Sequence, residues 1–214
     1  MIHTTNKGIL LGICLFLCII YTSCKHQLSS SEFAAYIEQK EELRKVSSSQ
    51  GIQMQCQYFP AAYMALLDFR SVPSEQLREA DFSKSYNQYK DNLYFKLSFE
   101  SEEGKDITRS TSDNAQSYQQ RMYDMNYYFD RHIMLVTDTQ DTLRPAIFTL
   151  QKSFTASPKV SFLLGFAKTP ALQSANEIDL IYRDAYFNLP RSVHFVFTNT
   201  EINQNLPTIT FTDL

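Results

Sequence analysis

The segment Ile52-Gln53-Met54-Gln55-Cys56-Gln57-Tyr58 decides the fold class, because apolar and polar residues alternate along it without interruption. Successive side chains of a β-strand point to opposite faces of a sheet, so a period of two predicts a strand with one apolar and one polar face. Phe59-Pro60 ends the segment. Cys56 falls on the apolar side, and we therefore expect a buried, unreactive thiol.

The same alternation recurs further along the chain. In the segment 93–100, Leu93, Phe95, Leu97 and Phe99 alternate with more polar residues, which predicts a second strand with one apolar face. The segment 127–136 becomes apolar on both sides near its end and is interpreted as a central strand. Five more strands are predicted at 146–152, 160–168, 178–183, 193–198 and 208–212. This spacing, with prolines and turn residues between strands, indicates an antiparallel sandwich or curled sheet of about seven to eight strands.

Helices are predicted mainly towards the N-terminus. Ser29-Ser30-Ser31-Glu32 fits a capping box, in which serine and glutamate satisfy the free N–H groups of a first turn, and we expect a helix over 31–46. Two more helices are predicted at 61–69 and 74–89. Asp113 could cap a short helix whose inner face contains Ala115, Tyr118 and Met122. The expected fold class is therefore α+β and β-rich, with N-terminal helices.

Composition narrows the function classes. The formal net charge is −3, which argues against a nucleic-acid partner, because such proteins need a basic surface. Aromatic residues make up 14% of the chain, as expected of a packed domain rather than a disordered one. Only 5 glycines are present, so glycine-rich phosphate loops are not expected, and we predict no cofactor.

The N-terminal segment has the pattern of a secretory signal. Residues 1–7 carry one charge, on Lys7, and residues 8–21 form an uncharged, apolar run. An apolar run of about 7–15 residues after a basic start is typical of a signal peptide, whereas a membrane span needs about 20 residues. The run ends in Tyr21-Thr22-Ser23-Cys24, where small residues precede a cysteine.

This ending resembles the lipobox of bacterial lipoproteins, in the relaxed form found in Bacteroidota. Thr22 and Ser23 match the small positions and Cys24 matches the invariant cysteine, whereas Tyr21 stands where leucine is usual. The resemblance implies cleavage before Cys24, a diacylglycerol on its sulfur and an acyl chain on its amine. It covers the first 24 residues or so, and we see no resemblance to a specific family beyond it. An ordinary cleaved signal peptide and an uncleaved anchor remain alternatives.

The resemblance sets the expected organisation of the chain. Residues 1–23 would be a lipoprotein signal peptide, 24–30 a tether and 31–214 a single β-rich domain, in which Cys56 is the remaining cysteine. Lys25 does not resemble an inner-membrane retention signal, and no acidic residue precedes Glu32. We therefore expect an outer-membrane protein that faces the periplasm.

A search for catalytic and metal-binding patterns yields no specific motif, and we predict no catalytic, cofactor-binding or metal residues. Asp130 and His132 could supply two ligands from one face of a strand, but a surface pair is the favoured interpretation. Asp138 and Asp141 lie in a predicted turn and lack the ligand series of a calcium loop.

Tyrosines suggest recognition surfaces. Tyr118, Tyr123, Tyr127, Tyr128 and Phe129 could form a stacking platform for a sugar or peptide, although core and strand-edge positions are the favoured interpretation. A second set, comprising Tyr94, Tyr182 and Tyr186, could add surface for a protein partner, because tyrosine is enriched at interfaces.

Three functions follow as hypotheses. The first is a membrane-anchored, non-enzymatic binding or assembly module with an envelope protein as partner. The second is a lipoprotein that binds a small molecule or a glycan in a sheet-lined pocket. The third is a cell-wall or polysaccharide hydrolase, which in its glycosidase form needs two carboxylates about 5–10 Å apart across a cleft.

Overall fold

Antiparallel strands form most of this fold. The computed structural model describes residues 27–109, 115–151 and 157–211, and within them eleven strands form three sheets. The strands are β1 (Gln27–Leu28), β2 (Arg44–Ser49), β3 (Ile52–Phe59), β4 (Asn92–Ser101), β5 (Ile133–Thr137), β6 (Thr142–Leu143), β7 (Ile147–Gln151), β8 (Lys159–Ala167), β9 (Glu177–Tyr182), β10 (Val193–Thr198) and β11 (Thr208–Ile209).

Six α-helices lie between these strands in the described part of the chain. They are α1 (Ser30–Gln39), α2 (Ala61–Leu67), α3 (Glu79–Tyr89), α4 (Ala115–Tyr127), α5 (Pro170–Ser174) and α6 (Asn199–Ile202). Short 3-10 helices occupy Glu41–Leu43, Ser74–Gln76 and Phe129–His132. None of the described helices combines the length and the apolar character needed to cross a membrane.

The two larger sheets are antiparallel throughout. The first sheet has the strand order β2-β3-β4-β8-β7 and the second has the order β10-β9-β5-β6. The third consists of β1 and β11, which pair in parallel. The predicted class, α+β and β-rich with antiparallel sheets, is therefore confirmed.

Aromatic side chains fill the space between the two larger sheets. Phe99 of β4 is fully buried, and its ring centroid lies 5.9 Å from that of Phe129, 6.2 Å from Phe162, 4.9 Å from Tyr182 and 4.6 Å from Phe187. These rings come from both sheets and from the segments that join their strands. The apolar face predicted for 93–100 thus holds the two sheets together.

The opposite face of the first sheet carries the N-terminal helices. The Gln57 side chain on β3 donates to the backbone carbonyl of Ile37 in α1 over 3.2 Å. The ring of Phe59 lies 4.6 Å from that of Tyr63 in α2. The polar side of the alternating segment therefore meets helices as well as solvent.

The predicted helix over 31–46 is correct only in its first part. The capping box is present, with Ser29 Oγ accepting from Glu32 N over 3.3 Å and Glu32 Oε2 accepting from Ser29 N over 2.9 Å. The helix ends at Gln39, and Arg44–Ser49 forms an edge strand paired with β3. Gln50 and Gly51 both have positive φ, at 52° and 72°, so a two-residue hairpin turn joins these strands.

The predicted strand over 127–136 is wrong in its first part. Helix α4 continues to Tyr127, a 3-10 helix covers Phe129–His132 and the strand begins at Ile133. Phe129 explains the departure, because its ring stacks on Phe162 with centroids 3.7 Å apart and planes 5° from parallel. Burying this ring between the sheets requires the chain to turn before the strand.

The remaining predicted strands agree with the structure to within a few residues, and β1, β2 and β6 were not predicted. Residues 27–30 of the predicted tether belong to β1, to the cap of α1 and to α1 itself. The predicted signal peptide, Cys24 and the proposed cap Asp113 lie outside the described residues, as do the ends of the strands predicted to reach 152 and 212.

Candidate binding surfaces

A cavity of about 280 Å³ lies where the two larger sheets end, and we name it the end cavity. Leu93 near the start of β4 and Ile178 near the start of β9 supply wall residues from the two sheets. Helices α5 and α6 and the segments beside them supply the rest. The lining residues are Leu93, Lys168, Leu172, Gln173, Ala175, Ile178, Asn199, Ile202 and Asn203.

Local capping chemistry places the two short helices beside this cavity. Thr169 Oγ1 accepts from Leu172 N over 3.2 Å at the start of α5. Thr198 and Glu201 form a capping box at the start of α6, with N–H···O distances of 3.3 and 2.8 Å. Each cap satisfies N–H groups that a helix start leaves free, so even short helices hold their positions. They bring Leu172 and Ile202 into the wall.

Lys168 is the charged group of the end cavity. Its ammonium Nζ donates to the backbone carbonyl of Lys90 over 2.7 Å, and its backbone N donates to the carbonyl of Asp91 over 2.9 Å. Burial lowers the pKa of the Lys168 ammonium, and the nearby Asp91 carboxylate opposes this change. No acidic residue is among the described residues that line the cavity. The charged group among its described lining residues is therefore a cation, with the Asp91 carboxylate nearby.

Amide groups supply the other polar atoms of the end cavity. The Asn199 side chain donates to the backbone carbonyl of Ala175 over 2.9 Å and accepts from the Asn203 side chain. Within the described residues, the Gln173 side chain and the Asn203 Oδ1 atom have no hydrogen-bond partner. Gln173 and Asn203 are exposed residues, and they add an amide donor and a carbonyl oxygen to the lining that also contains Lys168.

A second feature is an exposed aromatic surface at the end of α4, which we name the tyrosine patch: Tyr123, Tyr127, Tyr128 and Arg131. Tyr123 and Tyr127 are 50% and 65% exposed, and their ring centroids are 4.8 Å apart. Tyr128 lies 5.8 Å from Tyr123, and the Arg131 guanidinium lies 4.1 Å from the Tyr128 ring centroid. A hydrogen bond with Tyr128 is the main cause that raises the pKa of Tyr123.

The predicted aromatic run is therefore divided between surface and core. Tyr123 and Tyr127 are exposed and Tyr128 is half-buried, whereas Phe129 is fully buried. Tyr118 lies apart, with the Arg109 guanidinium 5.1 Å from its ring centroid.

The second set of tyrosines was predicted to form partner surface, and this prediction is wrong. Tyr94, Tyr182 and Tyr186 are 2%, 0% and 9% exposed. A tyrosine hydroxyl is compatible with a surface position, but the rings of these three residues pack in the core. A buried tyrosine hydroxyl needs a hydrogen-bond partner, and Tyr182 Oη donates to Asp184 Oδ1 over 2.7 Å.

Asp130 and His132 do not share a face of a strand, because both residues lie in the 3-10 helix. The His132 ring packs edge-on against Tyr186 with centroids 5.3 Å apart, and burial lowers the pKa of His132. No group of three or more His, Cys, Asp or Glu side chains is positioned to hold a metal in the described ranges.

The other candidate residues have structural partners. Asp138 Oδ2 accepts from the backbone and side-chain N–H groups of Asn176, each over 3.1 Å, and Asp141 accepts from Thr139 over 2.9 Å. These bonds hold the turn between β5 and β6. Cys56 is fully buried, and burial raises the pKa of its thiol, as expected of an unreactive cysteine.

A further cavity of about 300 Å³ lies between α1 and the segment that follows α2. Its polar residues include Glu38, which accepts from Tyr63 Oη over 2.7 Å, and Arg70. Glu38 is the one carboxylate among its described lining residues, and the end cavity has none. Neither of these two cavities therefore offers the carboxylate pair that the glycosidase hypothesis requires.

Comparison of the chain with known protein families, curated proteins and solved structures found no match. The fold and the two surfaces define a β-rich α+β domain with an end cavity that contains Lys168 and with an exposed tyrosine patch.

Proposed function

We propose that this protein is a lipid-anchored, non-enzymatic binding module of a bacterial envelope, which recognises a protein partner through the tyrosine patch. The observation that supports this proposal is the exposure of two adjacent tyrosines, Tyr123 and Tyr127, on a helix that contributes little to the core.

The chemistry of the patch suits protein recognition. Tyrosine offers a large ring and a hydroxyl at low cost in conformational entropy, and tyrosine and arginine are enriched at interfaces and among the residues that dominate binding energy. Met125 is the fully buried side chain of α4 and Met122 packs against the core, whereas the side of the helix with Tyr123 and Tyr127 is available to a partner. Arg131 adds a cation stacked on Tyr128, which would favour an acidic or aromatic partner surface.

The N-terminal sequence supports the location. A thiol at Cys24 directly after small residues, at the end of an apolar run, is where bacterial lipoproteins carry their lipid. Each buried methylene contributes about 0.8 kcal/mol, and two or more acyl chains give stable anchoring. The proposed location is the outer membrane with the domain facing the periplasm.

Site-specific photo-crosslinking in the native host tests the partner. The crosslinker p-benzoylphenylalanine would replace Tyr127, and the matched control would replace Tyr86, which is 38% exposed on α3. We expect a discrete protein adduct at position 127 that is absent at position 86 and is lost when Tyr123→Ser is added. Equal adducts at both positions would contradict the proposal. Binding of the protein to a polysaccharide array that is lost in Tyr123→Ser would instead favour the glycan-binding hypothesis.

Intact mass tests the anchor. The membrane-fraction protein should begin at Cys24 and carry added lipid mass, and Cys24→Ala should lack this mass and leave the membrane fraction. A chain cut elsewhere, without lipid, would show that the anchor proposal is wrong while leaving the crosslinking result interpretable.

A further inference from the structure

The end cavity combines an apolar wall with one cationic group. Leu93, Leu172, Ala175 and Ile178 are each at most 6% exposed, and Ile202 packs against the same core. The lining combines these five apolar residues with four polar ones, Lys168, Gln173, Asn199 and Asn203. In small-molecule sites apolar side chains supply contact and polar groups fix the orientation of the ligand. The wall is shaped by both sheets and by the capped helices α5 and α6, so it is largely formed before any ligand arrives.

Lys168 determines the charge of a suitable ligand. A lysine ammonium has three N–H donors, and one of them is used by the Lys90 carbonyl at 2.7 Å. In the part of the chain that the structure describes, no carboxylate forms an ion pair with Lys168. The Asp91 carboxylate offsets part of the desolvation that lowers the pKa of Lys168. An anion in the cavity would add a second opposite charge and stabilise the ammonium further.

The neighbouring amides suit a planar anion with more than one acceptor. The Gln173 side chain can donate to a second oxygen, and Asn203 Oδ1 can accept from a ligand hydroxyl or N–H. The bond from the Asn199 side chain to the Ala175 carbonyl, over 2.9 Å, fixes a third amide in the lining. Polar atoms and apolar wall face one space, so a ligand needs a polar head and an apolar body.

Volume limits the size of that body. A cavity of about 280 Å³ lies near the lower end of the range for small-molecule sites, about 300–1,000 Å³. This volume suits a ligand at the small end of that range, of about ten non-hydrogen atoms.

We propose that the end cavity binds a small amphiphilic carboxylate, with its anionic head on Lys168 and Gln173 and its aliphatic or aromatic body against Leu172, Ile178 and Ile202. This proposal is independent of the tyrosine patch, because the two sites share no residue. It assigns a ligand class to the fold without requiring any chemical step.

Calorimetric titration of the purified full-length protein tests this site, with 3-phenylpropionate as the probe and 3-phenylpropanamide as its neutral counterpart of equal shape. We expect the carboxylate to bind at least tenfold more tightly than the amide, and acetate, which lacks the body, to show no measurable binding. Equal binding of the carboxylate and the amide, or of the carboxylate and acetate, would overturn the proposal.

A matched pair of variants locates the interaction. Lys168→Gln should weaken 3-phenylpropionate binding by about ten- to a hundredfold, because it removes a hydrogen bond to a charged group. Lys159→Gln removes the same charge from the other end of β8, where Lys159 pairs with Glu100 at 3.3 Å, and should leave the affinity unchanged. An equal loss in both variants would show a general charge effect and overturn the assignment.

A third variant guards against misfolding. Lys168→Gln also removes the bond to the Lys90 carbonyl, so its loss of binding could reflect a disturbed loop. Lys168→Arg keeps the cation and its donors and should retain binding within about threefold, whereas a loss as large as that of the glutamine variant would show that the charge does not hold the ligand.

Discussion

Replacing Asp184 by asparagine tests how the second sheet closes over the core. The Asp184 carboxylate accepts four hydrogen bonds, which join the end of β9 to the segment that follows it. Oδ1 accepts from Tyr182 Oη at 2.7 Å, Tyr186 N at 3.0 Å and Phe187 N at 2.9 Å, and Oδ2 accepts from Leu189 N at 2.7 Å. This carboxylate thereby holds Tyr186 and Phe187 in positions where their rings contact the aromatic core.

The size of the effect follows from these contacts. An asparagine can keep one carbonyl oxygen in the position of Oδ1, but its NH₂ group then faces the N–H of Leu189, so two donors meet. An unsatisfied N–H costs about 1–3 kcal/mol, and the other three bonds lose their ionic character. We therefore expect Asp184→Asn to lower the free energy of unfolding by about 2–4 kcal/mol, which is a large fraction of the 5–15 kcal/mol typical of a domain. Tyr182→Phe removes one bond and should cost about 0.5–1.5 kcal/mol.

Urea unfolding followed by circular dichroism measures these changes as shifts in the midpoint at constant slope. The matched control is Asp81→Asn, which breaks an exposed ion pair with Arg78 and should change the free energy of unfolding by at most about 0.5 kcal/mol. Hydrogen exchange adds a local measurement, because the amide protons of Tyr186, Phe187 and Leu189 should exchange faster in Asp184→Asn. Equal midpoints for both asparagine variants would refute the reasoning.

Three further predictions concern packing, reactivity and pH. Gly165→Ala should lower the free energy of unfolding by about 1–3 kcal/mol, because its Cβ would lie 2.9 Å from Ile147 Cβ, and an unchanged urea midpoint would contradict this. In a chain whose other three cysteines are serine, Cys56 should react with a thiol reagent only after unfolding in guanidinium, and rapid reaction of the native protein would show an accessible thiol. Burial raises the pKa of Tyr89 and Tyr186 to about 12, whereas a tyrosine in the unfolded chain has a pKa of about 10. The unfolded chain therefore loses these protons first, and the urea midpoint should decrease as the pH is raised from about 10 to about 12. A midpoint that stays constant over this pH range would contradict the prediction.

Much of the sheet could be predicted from the sequence, because its strands alternate cleanly. Leu93, Phe95, Leu97 and Phe99 all point into the core, as their period of two requires. The pattern fails in β2, where Val46 is 55% exposed and serines follow it. An edge strand without a distinct apolar face forms because it pairs with its neighbour, and its own sequence gives little sign of it. The helix predicted over 31–46 was therefore extended into this strand.

Which tyrosines are exposed could be predicted only in part. Tyr123 and Tyr127 are four residues apart, so a helical assignment for this segment places them on one face of α4. Because a strand was predicted from residue 127 onward, Tyr127 was not placed on the same helix as Tyr123. The burial of Tyr182 and Tyr186 depends on Asp184 folding the chain back over the sheet, and a tyrosine's amphipathic side chain carries no local signal for that outcome.

The end cavity could not be predicted because its residues come from three separate stretches of the chain, at Leu93, at 168–178 and at 199–203. Part of its framework does have a sequence signature. Thr198-Asn199-Thr200-Glu201 has the spacing of a capping box, and Thr169-Pro170 marks a helix start. These signals predict short helices, but only the pairing of the strands shows that both helices lie at the same end of the sheets.

The positions of the two candidate surfaces follow from the way this fold fills its interior. A strand with one apolar face buries every second side chain, and here phenylalanines such as Phe99 occupy the space between the sheets. The end cavity therefore lies outside this packed interior, where the strands end and the short helices α5 and α6 contact them. Room for a partner arises on an element such as α4, whose buried side chain is Met125. Because Lys168 and Tyr127 lie away from the contacts of Phe99, substitutions at either position should change recognition while leaving the aromatic core intact.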